Sequence, residues 1–235
     1  SWEGKLLPEE AVDVKFRKPF ALYMRWTDDG NKGREVLIEE GKNHGRMKAH
    51  EGGWLSFVTV NLDPRGGTAM KKQHHPVTHM GLGRLIDKIA NFARLAFADR
   101  RGQKHQVSIE APPEGKSCWK VEFEVKPGAG QVHLAKAGET LWQVEEKYQS
   151  DWYLLVTHNP KVNPDGLEEG QKIKVPDSYG SRTVLWVDPQ FLLPVQIHLD
   201  DDAGKPYERF AYRKLKLNVG LTDKDFDPEN SSYGF

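Results

Sequence analysis

Cysteine, net charge and long apolar runs are what this 235-residue chain has least of, and each shortage removes a class of explanation. Its one cysteine, Cys118, cannot form an intrachain disulfide, so the fold must hold by packing. Lys and Arg number 34, as do Asp and Glu, and the formal net charge at pH 7 is zero. Such a balance exerts no general pull on nucleic acid or an anionic membrane, and no nucleic-acid partner is expected. No stretch approaches the roughly 20 apolar residues of a membrane-spanning helix, and no apolar leader region is visible. The residues present read as a mature or trimmed, soluble portion whose export signal lies outside them.

Catalytic motifs are equally scarce. Gly81-Leu82-Gly83 lacks the third glycine of a dinucleotide fingerprint, since Ile86 stands there and no suitable strand precedes it. Neither a nucleophile elbow nor a phosphate loop occurs. His74, His75 and His79 cluster, but Pro76 argues for a loop leading into a helix, and no metal site is assigned. Asp223, Asp225 and Asp227 alternate like the start of a calcium loop, yet Pro228 takes the glycine position and the twelfth position is not acidic. Asp200-Asp201-Asp202-Ala203-Gly204 suits a hairpin turn better than carboxylate catalysis. Cys118 reads as a structural thiol beside Lys120 and Glu122. No catalytic residue and no cofactor are named, and the chain is read as non-enzymatic.

What the sequence does have is strand periodicity. Val12, Val14 and Phe16 alternate with Asp13, Lys15 and Arg17, and Phe20, Leu22, Met24 and Trp26 alternate with polar or small partners, which predicts sheets with one buried face. Turn residues at 28–33, 41–45 and 51–53 make this an antiparallel meander. A long helix is expected over 81–101, with an apolar stripe of Leu82, Leu85, Ile86, Ile89, Phe92, Ala93 and Ala96 and with Arg84, Asp87, Lys88, Asn91 and Arg94 on the polar side. Further strands are expected over 106–110, 118–125, 183–187, 194–199 and 207–217, about ten in all. The fold class is α+β, with a curved antiparallel sheet against one long helix.

The stretch 138–176 has a different character. Gly138 and Thr140 offer a tight turn and an N-cap, and Leu141, Val144 and Tyr148 follow at helical spacing. A second helix is expected over 152–157, stopped by Asn159-Pro160, with strands at 131–135 and 172–175 on either side. The markers Gly138-Glu139-Thr140-Leu141-Trp142, Tyr148, Asn159-Pro160 and 170–176 resemble the LysM family of glycan-binding modules. The resemblance implies a βααβ unit over 131–177 inserted in a discontinuous host of residues 1–130 and 178–235. Paired end strands lie roughly 5 Å apart, so such a unit fits inside a host hairpin. It also implies a groove for peptidoglycan or N-acetylglucosamine oligomers, formed by Gly138, Glu139, Thr140 and Leu141 on one side and Asn159, Pro160, Lys161 and Val162 on the other. This copy departs from the family pattern at Glu139, where Asp is commoner. Glu145 replaces a small packing residue, Gln149 the glycine that ends the first helix, and His158 an apolar residue.

In the host, residues 33–37, 41–43, 75–78, 81–83 and 217–223 resemble a bacterial family known as a domain of unknown function and similar to the LolA-like lipoprotein carriers of the cell envelope. That resemblance implies a half-barrel with a helical lid, and a helix upstream of the point where Ser1 stands. Phe20, Leu22, Met24 and Trp26, with Ile89 and Phe92, would line a hydrophobic cavity for a lipid or a lipoprotein acyl chain. A periplasmic or cell-envelope location follows from the same likeness. The competing readings are a protein-interaction scaffold carrying a degenerate LysM, and a cell-wall or lipid hydrolase.

Overall fold

A computed structural model describes residues 7–71, 73–112 and 115–235, so the segment around Ser1 lies outside the described residues. The described residues divide into two compact units, residues 8–81 with 216–235 and Leu7 with residues 82–215. Among the described residues the structure is mixed α and β, with three α-helices, antiparallel sheets and no closed barrel.

The first unit is a meander. Strands β1 (Val12–Arg17), β2 (Ala21–Trp26), β3 (Glu35–Glu39), β4 (Met47–His50) and β5 (Val60–Leu62) pair antiparallel in chain order. Tight connections at residues 27–34 and 40–46 use the expected turn residues, with Gly33 and Gly41 in the left-handed region. One face of the sheet buries Leu22, Met24, Trp26, Val36, Ile38, Met47 and Ala49. The other face was expected to meet water, yet Ala21, Tyr23 and Leu37 are buried too. The C-terminal segment covers them: Phe226 packs on this face, and Tyr233 stacks on Tyr23 with ring centroids 3.8 Å apart. Lys15 Nζ donates to Asp225 Oδ1 at 2.9 Å and to the Tyr233 hydroxyl at 3.0 Å. Asp225, which the sequence set aside as an incomplete calcium loop, thus ties the C-terminal segment to β1.

The second unit begins with α1 (Leu82–Ala98), whose predicted stripe turns Ile89, Phe92 and Ala96 inward. Arg100, in the left-handed conformation, ends it, and Arg101 N–H donates to Ala96 O. Strands β6 (Gly102–Glu110) and β7 (Cys118–Val125) follow. Then come β8 (Gln131–Leu134), α2 (Leu141–Tyr148), α3 (Trp152–His158) and β9 (Lys172–Val175), and after them β10 (Arg182–Val187), β11 (Pro194–Asp200) and β12 (Pro206–Ala211). The large sheet runs β12-β11-β10-β7-β6, while β8 and β9 form a two-stranded sheet of their own. The ten host strands are therefore present, but they pair as two five-stranded ladders where one continuous sheet was expected. Between β5 and α1 lies a short 3-10 segment over Val77–His79. The last strand stops at Ala211, short of the expected 217, since Lys214 takes a positive φ that breaks extended pairing.

The six side chains expected to line one cavity fall into two cores. Leu22, Met24 and Trp26, with Phe20 packed on them, belong to the first unit. Ile89 and Phe92 belong to the second, packed with Tyr179, Ile197, Leu199 and Tyr207. Each set is satisfied by neighbours in its own unit, so the sequence periodicity reported core filling. His74 and His75 lie in the loop before the Val77–His79 turn, as Pro76 suggested. Cys118 is buried among Val184 and Trp186, and that burial pushes its thiol pKa up, which suits a structural thiol.

Candidate glycan-binding groove

Residues 131–175 form the expected strand-helix-helix-strand unit. β8 and β9 pair antiparallel from Gln131↔Val175 to Leu134↔Lys172, with His133, Ile173 and Val175 turned inward. Their core is Leu141, Val144, Leu155, Leu167 and Ile173, plus Trp142 and Trp152, whose rings stack at 3.7 Å and 2°. Thr140 caps α2 in a reciprocal box, its Oγ1 accepting from Gln143 N–H while Gln143 Oε1 accepts from Thr140 N–H. Asp151 caps α3 by accepting from Leu154 N–H at 3.1 Å.

The first predicted groove loop, 138–141, is tied by backbone bonds to the segment that follows the second. Gly138 N–H donates to Leu167 O at 2.9 Å, Leu167 N–H to Glu139 O at 2.7 Å, and Leu141 N–H to Pro164 O at 2.9 Å. The segment 163–167 is therefore the brace of the groove, and sequence reading passed over it. Its signal was the turn composition of Asn163-Pro164-Asp165-Gly166. Gly138 is exposed with φ +73°, and a Cβ there would meet only open space. Thr140 and Val162 are half-buried, and Pro160 and Lys161 are exposed. Leu141 and Asn159 serve differently. Leu141 is in the core, and the buried Asn159 amide donates to Leu155 O and Lys174 O while accepting from Lys174 N–H. These two frame the groove without presenting side chains to it.

Glu139 is held on the inner side of its loop. Its Oε2 accepts from His133 Nε2 at 2.8 Å and from Lys136 N–H at 3.0 Å. Burial pushes this carboxyl up, but the His133 bond, the Lys136 amide and the nearby charges of His133 and Lys147 outweigh it and leave the pKa below the usual glutamate value. The ring's other nitrogen faces the Tyr148 hydroxyl at 3.2 Å.

The departures from the family pattern have structural explanations. Glu145 sits opposite α1, where Lys88 Nζ stands 3.6 Å from its Oε1 and 2.9 Å from Asp151 Oδ2. Lys88 was expected on the solvent side of α1; it instead forms a buried triad with two carboxylates of the small unit. Tyr153 and Leu154 of α3 pack on the same core as Ile89 and Phe92. His158 points outward, and its Nδ1–H caps Leu154 O at 2.8 Å. Gln149 takes the left-handed position that ends α2, at φ 49°.

Comparison with known families gives two overlapping matches. Residues 133–176 match the LysM domain, the family whose likeness points to glycan partners. No curated protein and no solved structure matches the chain significantly. Residues 2–151 and 166–235 match the family described as protein of unknown function (DUF1571), and the chain belongs to that family.

Proposed function

We propose that residues 131–177 are an inserted module that binds N-acetylglucosamine-containing glycan, peptidoglycan foremost, and keeps a non-enzymatic protein at the bacterial cell wall. The observation that carries this reading is the 138–141 loop braced by residues 164 and 167, with an open Gly138 there and exposed Pro160 and Lys161 in the second loop. Preformed loops lose little freedom when a sugar binds, which lets a shallow groove retain useful affinity. The insertion reading draws support from the large sheet. β7 and β10 are antiparallel neighbours, with Val125 N–H bonded to Ser181 O, so the module occupies the connection of a hairpin. A single module binds weakly, and it localises the protein without gripping the wall.

A second role for the host, carriage of an acyl chain on a LolA-like half-barrel, is favoured by one feature of the large sheet. Val107 is 69 % exposed, Ile109 77 % and Trp119 42 %, and these lie on the face that also carries core Phe123. A hydrophobic ligand would sit on this stretch, since the six side chains first considered are already packed. Lipid extracted with the purified protein and lost in an Ile109→Glu variant supports that role; an empty extract removes it.

The glycan reading is tested by calorimetric titration with soluble peptidoglycan fragments and N-acetylglucosamine oligomers. Thr140→Arg fills the groove but also removes a helix cap, so Thr140→Ala, which removes the cap alone, is the control. Saturable binding lost in the Arg variant and kept in the Ala variant is expected. No heat from the wild type at millimolar ligand removes the proposal.

A further inference from the structure

Strand β6 closes one side of the large sheet, and its outer edge is open. It runs nine residues with no proline, while β12 on the opposite side has six and begins at Pro206, one of the usual ways in which an edge is blunted. From Lys104 to Glu110 the register of β6 with β7 is unbroken. Among the described residues no backbone hydrogen bond outside that ladder involves this stretch. All of its residues but Ser108 are exposed. An antiparallel ladder turns half of a strand's N–H and C=O groups toward its partner and half away, so β6 offers solvent a row of unpaired groups. Another strand is what such a row accepts.

The side chains specify which strand. A two-fold axis through Val107, perpendicular to the sheet, sets β6 antiparallel to β6 of a second copy and matches Lys104 with Glu110, His105 with Ile109 and Val107 with itself. Directly opposed side chains stand about 5 Å apart at Cβ, within reach of an ion pair. Inside one chain Lys104 Nζ lies 3.9 Å from Glu124 Oε1, and Lys120 Nζ lies 3.0 Å from Glu110 Oε2. Pairing therefore builds, at both ends of the junction, a row of alternating sign: Glu124 and Lys104 of one copy, then Glu110 and Lys120 of the second. Lys104 and Glu110 keep 52 % and 51 % of their side-chain surface, so each is free to take the second partner. Moving the axis to Gln106 or Ser108 sets both charges opposite uncharged residues, and an offset of one residue turns opposite faces against each other. We infer that β6 is a homodimer edge, through which two copies of this chain pair antiparallel about Val107 into one continuous sheet. The junction leaves the apolar face of Val107, Ile109 and Trp119 open, so it neither needs nor blocks the acyl-chain role proposed above. It also gives the particle two glycan grooves, and with them an avidity that one copy lacks.

The test is sedimentation velocity of the whole chain from micromolar to submillimolar concentration. A species of twice the chain's 26.8 kDa, growing with concentration, is expected. Lys104→Glu sets like charges against each other at both ends of the junction, and Glu110→Lys does the same with the opposite sign. Each should raise the dimer dissociation constant at least about tenfold. Mixed in equal amounts, the two variants present complementary charges at both ends, and the mixture should dimerise as the wild type does. The double variant Lys104→Glu/Glu110→Lys should do so on its own. The reversals also repel Glu124 or Lys120 within the chain, but a loss caused by that repulsion or by misfolding is not repaired by mixing. A mixture that stays monomeric therefore overturns the proposal. So does a dimer indifferent to both reversals, which is made by another surface, and so does a wild-type chain that stays monomeric throughout, which leaves the edge to a strand of another protein.

Discussion

Replacing Lys88 with Met should cost far more than a surface charge usually does. Asp151 is fully buried and Glu145 nearly so, and Lys88 Nζ lies 2.9 and 3.6 Å from their carboxylates. At an effective dielectric near 20 these contacts are worth about 6 and about 5 kcal/mol gross, against which the desolvation of all three ions must be set. Removing the cation alone leaves that desolvation in place for the two carboxylates, and the net loss should be about 3–5 kcal/mol. Lys88→Met keeps most of the stem volume, so little of the loss can be assigned to packing. At about 3 °C per kcal/mol for a domain of this size, the melting temperature should fall by roughly 10 °C. Urea unfolding monitored by tryptophan fluorescence, which follows the stacked Trp142 and Trp152, reads the change directly. The triple variant Lys88→Met/Glu145→Gln/Asp151→Asn, which removes charge from both sides and keeps a side-chain acceptor at the α3 cap, should recover more than half of the loss. A cost below about 1 kcal/mol for Lys88→Met, the range of an exposed pair, would refute the buried triad.

Three smaller predictions follow from the groove and its frame. Asn159→Ala removes two hydrogen bonds to Lys174 of β9 and one back to Leu155 of α3 and should lower stability by about 2–3 kcal/mol, measured by the same unfolding assay. Gln149→Gly relieves a left-handed residue and should raise stability by about 0.5–1 kcal/mol after the entropy cost of glycine; a loss would mean that Gln149 makes a contact worth more than the strain. The Glu139 carboxyl titrates below its unfolded value, so its contribution is complete above the ordinary glutamate pKa and disappears as pH falls through the lowered folded value. Wild type should therefore exceed Glu139→Gln in melting temperature at pH 7, with the gap closing toward pH 3; a gap that stays constant contradicts the His133 pairing.

The small unit was readable from sequence because its structure is determined locally. Thr140, Asp151, Asn159-Pro160 and the spacing of Leu141, Val144 and Tyr148 each act within a few residues, and the observed α2, α3 and β9 end within a residue of where they were placed. The same locality gave β7 its observed limits and α1 its buried face. What escaped was set by partners far along the chain. Tyr23 and Leu37 are buried by residues beyond 220, and Gly234 reaches Glu35 across 199 positions, which no periodicity in β2 or β3 could announce. Glu145 looked like a packing fault only because its cation lies on another helix, Lys88 of α1. The grouping of strands into two ladders is likewise a choice among distant partners, and alternation along one strand carries no record of it.

The central claim is that glycan binds between the loops at 138–141 and 159–162, and backbone amide NMR during titration with a soluble N-acetylglucosamine tetramer tests it most directly. The account predicts saturable shifts at Gly138, Thr140, Lys161 and Val162, with the strand amides of Ile173 and Val175 unmoved. Saturation with the largest shifts elsewhere, or no shift in these two loops at millimolar ligand, would contradict it.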